Sequence, residues 1–367
     1  MAKSRLHELS EHGVSVWIDS LSREWLETDE LQRMIDEDAV VGVTSNPTIF
    51  QTALATGDWY DEQLREVLKR EDDPTEIFLQ LAIEDIRGAC DLLRQVWDGG
   101  GGQDGYVSLE VDPTLAYDRE QTFEQALRLH DEVDRPNLFV KIPATEPGLG
   151  AIEDCIARGK SINITLIFSL DRYRAVVDAY FRGLERLVES GGDPSTVASV
   201  ASFFVSRVDT ETDKRLEAKG NSELQGKLAI ANAKFAYQHY LEAFSGSSWD
   251  RLAAKGATPQ RCLWASTSAK NPAYRDVVYV EELIGRDTVN TMPAETIAAF
   301  QDHGEVRDTL TQGVDEAQRL LEELREAGID YDDVTETLER EGVQKFSDSF
   351  EELLAGIRAK RSELAAA

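Results

Sequence analysis

The chain has 367 residues, 41% of them apolar and 8% aromatic, enough to bury a large core without disulfides or a structural metal. A formal net charge of −30 repels nucleic acid and anionic membrane surfaces, which argues against both as partners; any phosphorylated substrate then needs a local cationic pocket. Cys90, Cys155 and Cys262 are widely separated and odd in number, residues 1–13 are polar and charged, and no run approaches bilayer length. Reduced packing thiols and a cytoplasmic protein are expected.

Short β-branched apolar runs alternate with longer stretches of helical periodicity, the pattern of parallel strands joined by crossover helices. Strands are expected at residues 14–19, 40–45, 106–111, 138–143, 161–168, 197–205, 261–267 and 288–293. Helices are expected between them at 20–37, 73–97, 120–133 and 169–190, and with interruptions at 210–244. Residues 98–105, with four consecutive glycines, read as a flexible loop before the third strand and lack the Lys-Ser/Thr of a P-loop. Beyond Pro293 the chain reads as helices, notably 305–327 and 343–359, packed against the barrel or capping one mouth. Eight such strands predict an α/β fold, a (β/α)8 TIM barrel. Residues 1–367 would form a single domain, with 294–367 as a C-terminal helical extension.

In such barrels the groups that do chemistry sit at the carboxyl ends of strands. Here those ends are polar: Asp19, Thr44-Ser45-Asn46, Glu110, Lys141, Thr165, Ser202 with Arg207, and residues 266–270. Lys141, inside LFVKIP, places an ammonium in an otherwise apolar strand, where desolvation is costly. From a starting pKa of about 10.4, burial can lower a lysine by several units and free an amine that attacks carbonyls. Taken alone, such a lysine is more often a structural partner of an acid such as Asp19 or Glu110. Those two carboxylates supply the proton shuttles that Schiff-base chemistry needs, although each by itself also fits a cap or an ion pair. Arg207 and Lys270 follow neighbouring strands where barrels build anion sites; for Arg207 the alternative is a surface ion pair with Asp209 or Asp213. The five histidines show neither HxH nor HExxH spacing, so no metal site is expected. Gly148-Leu149-Gly150 carries Glu153 where a dinucleotide-binding loop has its third glycine, which argues against that reading.

Five segments occur in order: WIDSLSR (17–23), VGVTSNPTIF (41–50), SLEVDP (108–113), KIPATEPGLGAIEDCIARGKSINITLIFS (141–169) and ASFFVSRVD (201–209). Together they resemble the transaldolase family, specifically its longer bacterial form. The resemblance implies Lys141 as Schiff-base lysine, Asp19 as acid/base for the substrate hydroxyl, and Glu110 working through a water held by Thr165. It places Asn46 and Asn163 on substrate hydroxyls or on the lysine, Ser202 and Arg207 at the phosphate, and Phe204 near the reacting centre. Lys270, in STSAKNP, is the candidate second phosphate cation, with Lys227 behind it. Where the family commonly has an Asp before Thr44 this chain has Gly42-Val43, and Phe203 and Ser206 replace a commoner proline and glycine. The implied reaction moves a dihydroxyacetone unit from sedoheptulose 7-phosphate to glyceraldehyde 3-phosphate without any cofactor. Its partners would be sugar phosphates, and its state a monomer or homodimer. Two rivals are a fructose-6-phosphate aldolase of the same superfamily, disfavoured by Phe204, Glu110 and chain length, and a silent barrel acting as a scaffold.

Overall fold

The computed structural model describes residues 4–366; residues 1–3 and 367, which the expected domain includes, lie outside them. Eight strands form: β1 (Val14–Ile18), β2 (Val40–Thr44), β3 (Tyr106–Glu110), β4 (Leu138–Pro143), β5 (Ile162–Ile167), β6 (Ser199–Phe204), β7 (Arg261–Ala265) and β8 (Thr288–Met292). All pair in parallel and in chain order, and β8 returns to β1, so the sheet closes on itself as a (β/α)8 barrel. Most are shorter than the apolar patterning suggested. Asp19, Ser45 and Val111 fall just past the ladder, at the mouth.

Packing sets the details that pattern alone did not reveal. Gly42 on β2 carries no Cβ because one would lie 2.4 Å from the Trp17 ring, so an Asp could not precede Val43 without displacing that indole. Gly148 lies in a helix, Glu146–Ala157, that the sequence reading missed because of its two glycines. A Cβ there would meet the Pro143 carbonyl at 2.1 Å, so glycine is what lets this helix turn tightly off β4; Thr145 caps it, accepting from the Gly148 N–H at 3.1 Å. The expected helix at 20–37 is two, Arg23–Glu27 and Glu30–Glu37, separated where Asp29 adopts a left-handed φ of 59°. Helices Pro47–Ala55 and Asp61–Val67 were also not anticipated.

The glycine-rich loop is tethered rather than free. Asp104 accepts from Ser15 Oγ at 2.7 Å, Trp17 Nε1 at 3.2 Å and Arg261 Nη2 at 2.9 Å, plugging the amino end of the barrel. At the opposite end the chain leaves β8 through Ala294–His303 and Val314–Glu326, then forms one 36-residue helix, Tyr331–Ala366. Residues 305–313 are not helical, and the final helix begins twelve residues earlier than the periodicity suggested. That helix crosses the carboxyl mouth: Phe350 packs edge-on against Phe78 at 5.8 Å, and Gly342 lies beside Leu166 and Phe168.

A buried polar knot ties helix Arg23–Glu27 to helix Pro74–Leu92. The Arg23 guanidinium bonds Asp85, which also accepts from Tyr60 Oη at 2.7 Å, and Asp85 is fully buried. Removing one member of a buried ion pair leaves the other uncompensated, so Asp85→Ala is expected to cost about 3–5 kcal/mol. Urea unfolding of the variant against the parent measures this; a change below about 0.5 kcal/mol, the level of an ordinary surface substitution, would show the knot to be energetically idle.

Candidate active site

Alternation along a strand sends every second side chain to one face. On β3 and β4 that places Glu110 and Lys141 side by side, and on β5 it adds Asn163, because the ladder pairs Glu110 with Lys141 and Lys141 with Asn163. Lys141 is only 5% exposed. Its Nζ donates to the Ser45 carbonyl at 2.8 Å and to Glu110 Oε2 at 3.2 Å. The other Glu110 oxygen, Oε1, is buried with no hydrogen-bond partner, and so is Thr165 Oγ1.

Asp19 lies half-buried beyond β1 and accepts from Thr44 Oγ1 at 2.6 Å; Thr291 Oγ1 is 2.6 Å behind that hydroxyl. Burial pushes the Asp19 carboxyl up, against the pull of Lys141, the Thr44 hydrogen bond, Arg207 and Lys270. Burial also pushes Glu110 up, opposed first by Lys141, while the neighbouring Asp19 charge adds to the rise. Glu110 lines a small hollow together with apolar Phe50, Phe78, Leu109 and Phe350. Two carboxyls above their ordinary range and one buried amine therefore share a mouth, an arrangement suited to proton exchange around an attacking nitrogen.

The remaining candidates divide into an ordered floor and a cationic side. Asn163 donates to Ser108 Oγ at 3.1 Å and accepts from Ser202 Oγ at 2.7 Å, so it is fixed in one orientation. Asn46 caps helix Pro47–Ala55 by accepting from Ile49 N–H at 3.0 Å. Its cap leaves the amide nitrogen for other work. Leu166, next to Thr165, takes a left-handed φ of 59° where the β5–β6 register shifts; this bulge bends the strand at the mouth. Arg207, the second residue of helix Ser206–Ala218, lies 5.1 Å over the Phe204 ring, and its Nη1 is buried without a partner. Burial lowers its pKa, with Asp19 and Glu110 opposing.

The surface ion pair considered for Arg207 does not form with either nearby acid. Asp209 is engaged by the Ala229 N–H at 2.7 Å and the Tyr279 hydroxyl at 2.8 Å, and Asp213 by Gly226 N–H at 2.8 Å and the Tyr274 hydroxyl at 2.5 Å. Lys270 is exposed on the loop after β7, bonded to Ser268 Oγ at 2.6 Å. Its charge reaches Asp19, yet its side chain also lines a groove of about 590 Å³ beside helix Ser206–Ala218. Lys227 is exposed at the start of helix Leu228–Ala243. Among the described residues no group of three or more His, Cys, Asp or Glu is placed to hold a metal ion, and no helix is long and apolar enough to cross a membrane.

A family model described as transaldolase/fructose-6-phosphate aldolase matches residues 16–357. The chain belongs to that family. It is 54% identical over 356 residues to a transaldolase of Frankia alni, covering 96% of each chain. A transaldolase of Acidothermus cellulolyticus matches at 54% over 355 residues, 96% of this chain and 95% of the relative. One of Mycolicibacterium paratuberculosis matches at 52% over 354 residues, 95% of each.

Within this transaldolase-family site the sequence reading did not anticipate three contributors. The Ser45 carbonyl gives no side-chain signal, since it is backbone. Thr291 is visible only as a hydroxyl on β8 and gains meaning through Thr44. Phe346 comes from the final helix, some two hundred residues from Lys141 in sequence, with its ring centroid 5.9 Å from Nζ. The two departures in the sixth strand segment are accommodated by packing: Phe203 meets Tyr173 and Trp264 edge-on, and Ser206 Oγ lies 2.9 Å from Ser266 Oγ.

Proposed function

We propose that this enzyme transfers a dihydroxyacetone unit from sedoheptulose 7-phosphate to glyceraldehyde 3-phosphate, giving erythrose 4-phosphate and fructose 6-phosphate, through a Schiff base on Lys141. One observation carries the reading: a buried lysine amine within hydrogen-bond reach of a buried carboxyl, in a mouth shared with Asp19. Lys141 passes a proton to Glu110 along their hydrogen bond and attacks C2 of the ketose as the free amine. Loss of water from the carbinolamine gives an iminium, and Glu110 returns the proton that leaves with it. The partnerless oxygens of Glu110 and Thr165 support a role in holding the water through which that proton moves.

Asp19 then takes the C4 hydroxyl proton, the C3–C4 bond breaks, and its electron pair flows into the iminium to leave an enamine on Lys141. Thr44 and Thr291, lined up behind Asp19, steady it for this step. Asn163 and Asn46 hold substrate hydroxyls, Phe204 borders the reacting carbons, and Ser202, Arg207 and Lys270 face the phosphate. The partnerless Nη1 of Arg207 is the strongest support for that last assignment. Arg207→Ala should raise KM for phosphorylated substrates roughly 10- to 100-fold, the worth of one or two charge-assisted hydrogen bonds, with a smaller change in kcat. Steady-state kinetics decide the point: an unchanged KM would remove Arg207 from the phosphate site.

The rest of the reading is a single domain, with the helices after β8 as its extension, working in the cytoplasm as a monomer or homodimer. Three buried free cysteines support the cytoplasmic part of that reading. Sedimentation of the purified chain tests the oligomeric state. The family also embraces aldolases, which release dihydroxyacetone. An assay with fructose 6-phosphate, coupled to glyceraldehyde 3-phosphate detection, separates the two: transferases need erythrose 4-phosphate, whereas free dihydroxyacetone formed at the same rate without it would make this chain an aldolase.

A further inference from the structure

The final helix lies across the barrel mouth on a single face. Gly342, Phe346 and Phe350 recur every four residues, and all three turn toward the barrel. Gly342 sits against Leu166 and Phe168, where a Cβ would already be 3.1 Å from Leu166 Cδ2. Phe350 packs on Phe78. Polar contacts fasten the same stretch to helix Pro47–Ala55, with Thr48 Oγ1 donating to Ser349 Oγ at 2.9 Å and Gln51 Nε2 to Glu352 Oε2 at 2.8 Å. Between these anchors Phe346 is 6% exposed, with its ring 5.9 Å from Lys141 Nζ and 5.8 Å from the Arg207 guanidinium carbon. Both separations lie within cation–π range. Arg207 is thereby flanked by two phenyl rings, Phe204 from the barrel and Phe346 from the helix.

We propose that Phe346 closes the mouth over Lys141 and Arg207 and so sets how the lysine-bound three-carbon unit divides between an acceptor aldehyde and water. This rests on the Schiff-base reading given above. The enamine has two exits. Its C3 carbon can bond to the acceptor's aldehyde carbon while Asp19 gives its proton to the new hydroxyl, rebuilding a ketose iminium that water hydrolyses at C2 to free the Lys141 amine. Alternatively C3 takes a proton, one water adds at C2, and the C2–N bond breaks, returning the Lys141 amine and releasing dihydroxyacetone. Hydrolysis at C2 is common to both exits, so they divide at C3, between the acceptor's carbon and a proton delivered from solvent, and a phenyl ring held over the mouth restricts that solvent. Phe346 is a positioning residue here: it shapes the space around the reacting nitrogen from an element outside the barrel.

The test compares Phe346→Ala, Phe346→Val and Phe346→Leu in the full chain, with Leu353→Ala, a buried position on the same helix, as the control for a loosened helix. For each, dihydroxyacetone released from fructose 6-phosphate without acceptor is divided by the transfer rate with erythrose 4-phosphate, and borohydride labelling of Lys141 is measured alongside. The ratio should rise about tenfold in Phe346→Ala, less in Phe346→Val, and return near the parent in Phe346→Leu, which refills the space with apolar volume. Leu353→Ala should leave it unchanged. If Phe346→Ala does not fold, Val against Leu decides. A ratio within twofold of the parent in Phe346→Ala and Phe346→Val, with labelling intact, overturns the inference alone. An equal rise in Leu353→Ala also overturns it, and absence of label in the parent overturns the underlying reading instead.

Discussion

Lys141→Ala should abolish transfer, lowering kcat/KM by roughly 10⁵- to 10⁶-fold, the scale seen when a covalent nucleophile is lost. The reason is specific to the site. Among the described residues no other amine is placed against both Glu110 and the Ser45 carbonyl, and without a Schiff base there is no electron sink for C3–C4 cleavage. Lys141→Arg should not rescue activity, because a guanidinium keeps its proton and does not attack carbonyls. Lys141→Met retains apolar volume in the strand and serves as the folded control, judged by its thermal unfolding midpoint. Activity within a hundredfold of the parent in any of the three would mean that the lysine is structural.

Glu110→Gln should lower kcat about 10²- to 10⁴-fold, the usual worth of a positioned acid–base group. The amide keeps the shape of the side chain and its contact with Lys141 but exchanges no protons. Its pH behaviour distinguishes a proton shuttle from a simple counter-charge. Burial holds both Glu110 and Asp19 above ordinary carboxylate values, so activity that needs them ionised falls as pH drops through that raised range. In the parent the two carboxyls interact, and the apparent values belong to the pair. The acid limb of log kcat/KM against pH should therefore be steeper than one proton in the parent and reduce to one in Glu110→Gln. An identical limb in both proteins would show that Glu110 does not titrate in the reaction.

The barrel and its central lysine were legible because their signals are local. Strand periodicity marks itself within six residues, and an ammonium inside LFVKIP stands out against apolar neighbours. What escaped depended on distant parts of the chain. Helix Glu146–Ala157 looks unhelical until the Pro143 carbonyl is seen to demand a glycine at 148. The loop with four glycines looks free until Asp104 is found beneath the barrel, bonded to Arg261, Ser15 and Trp17. Phe346 is one apolar residue among many on a long amphipathic helix, and only the path of that helix over the mouth sets it apart. Lys270 was chosen by its position after β7; it stands near enough to influence Asp19, while its exposure gives the phosphate assignment less structural support than Arg207 has.

The central claim is the covalent bond at Lys141, and the direct measurement is borohydride reduction in the presence of fructose 6-phosphate, followed by intact mass and peptide mapping. The expected result is a single dihydroxyacetone-sized adduct confined to Lys141 and absent from Lys141→Ala. An active preparation that yields no adduct, or one carried by another lysine, would contradict it.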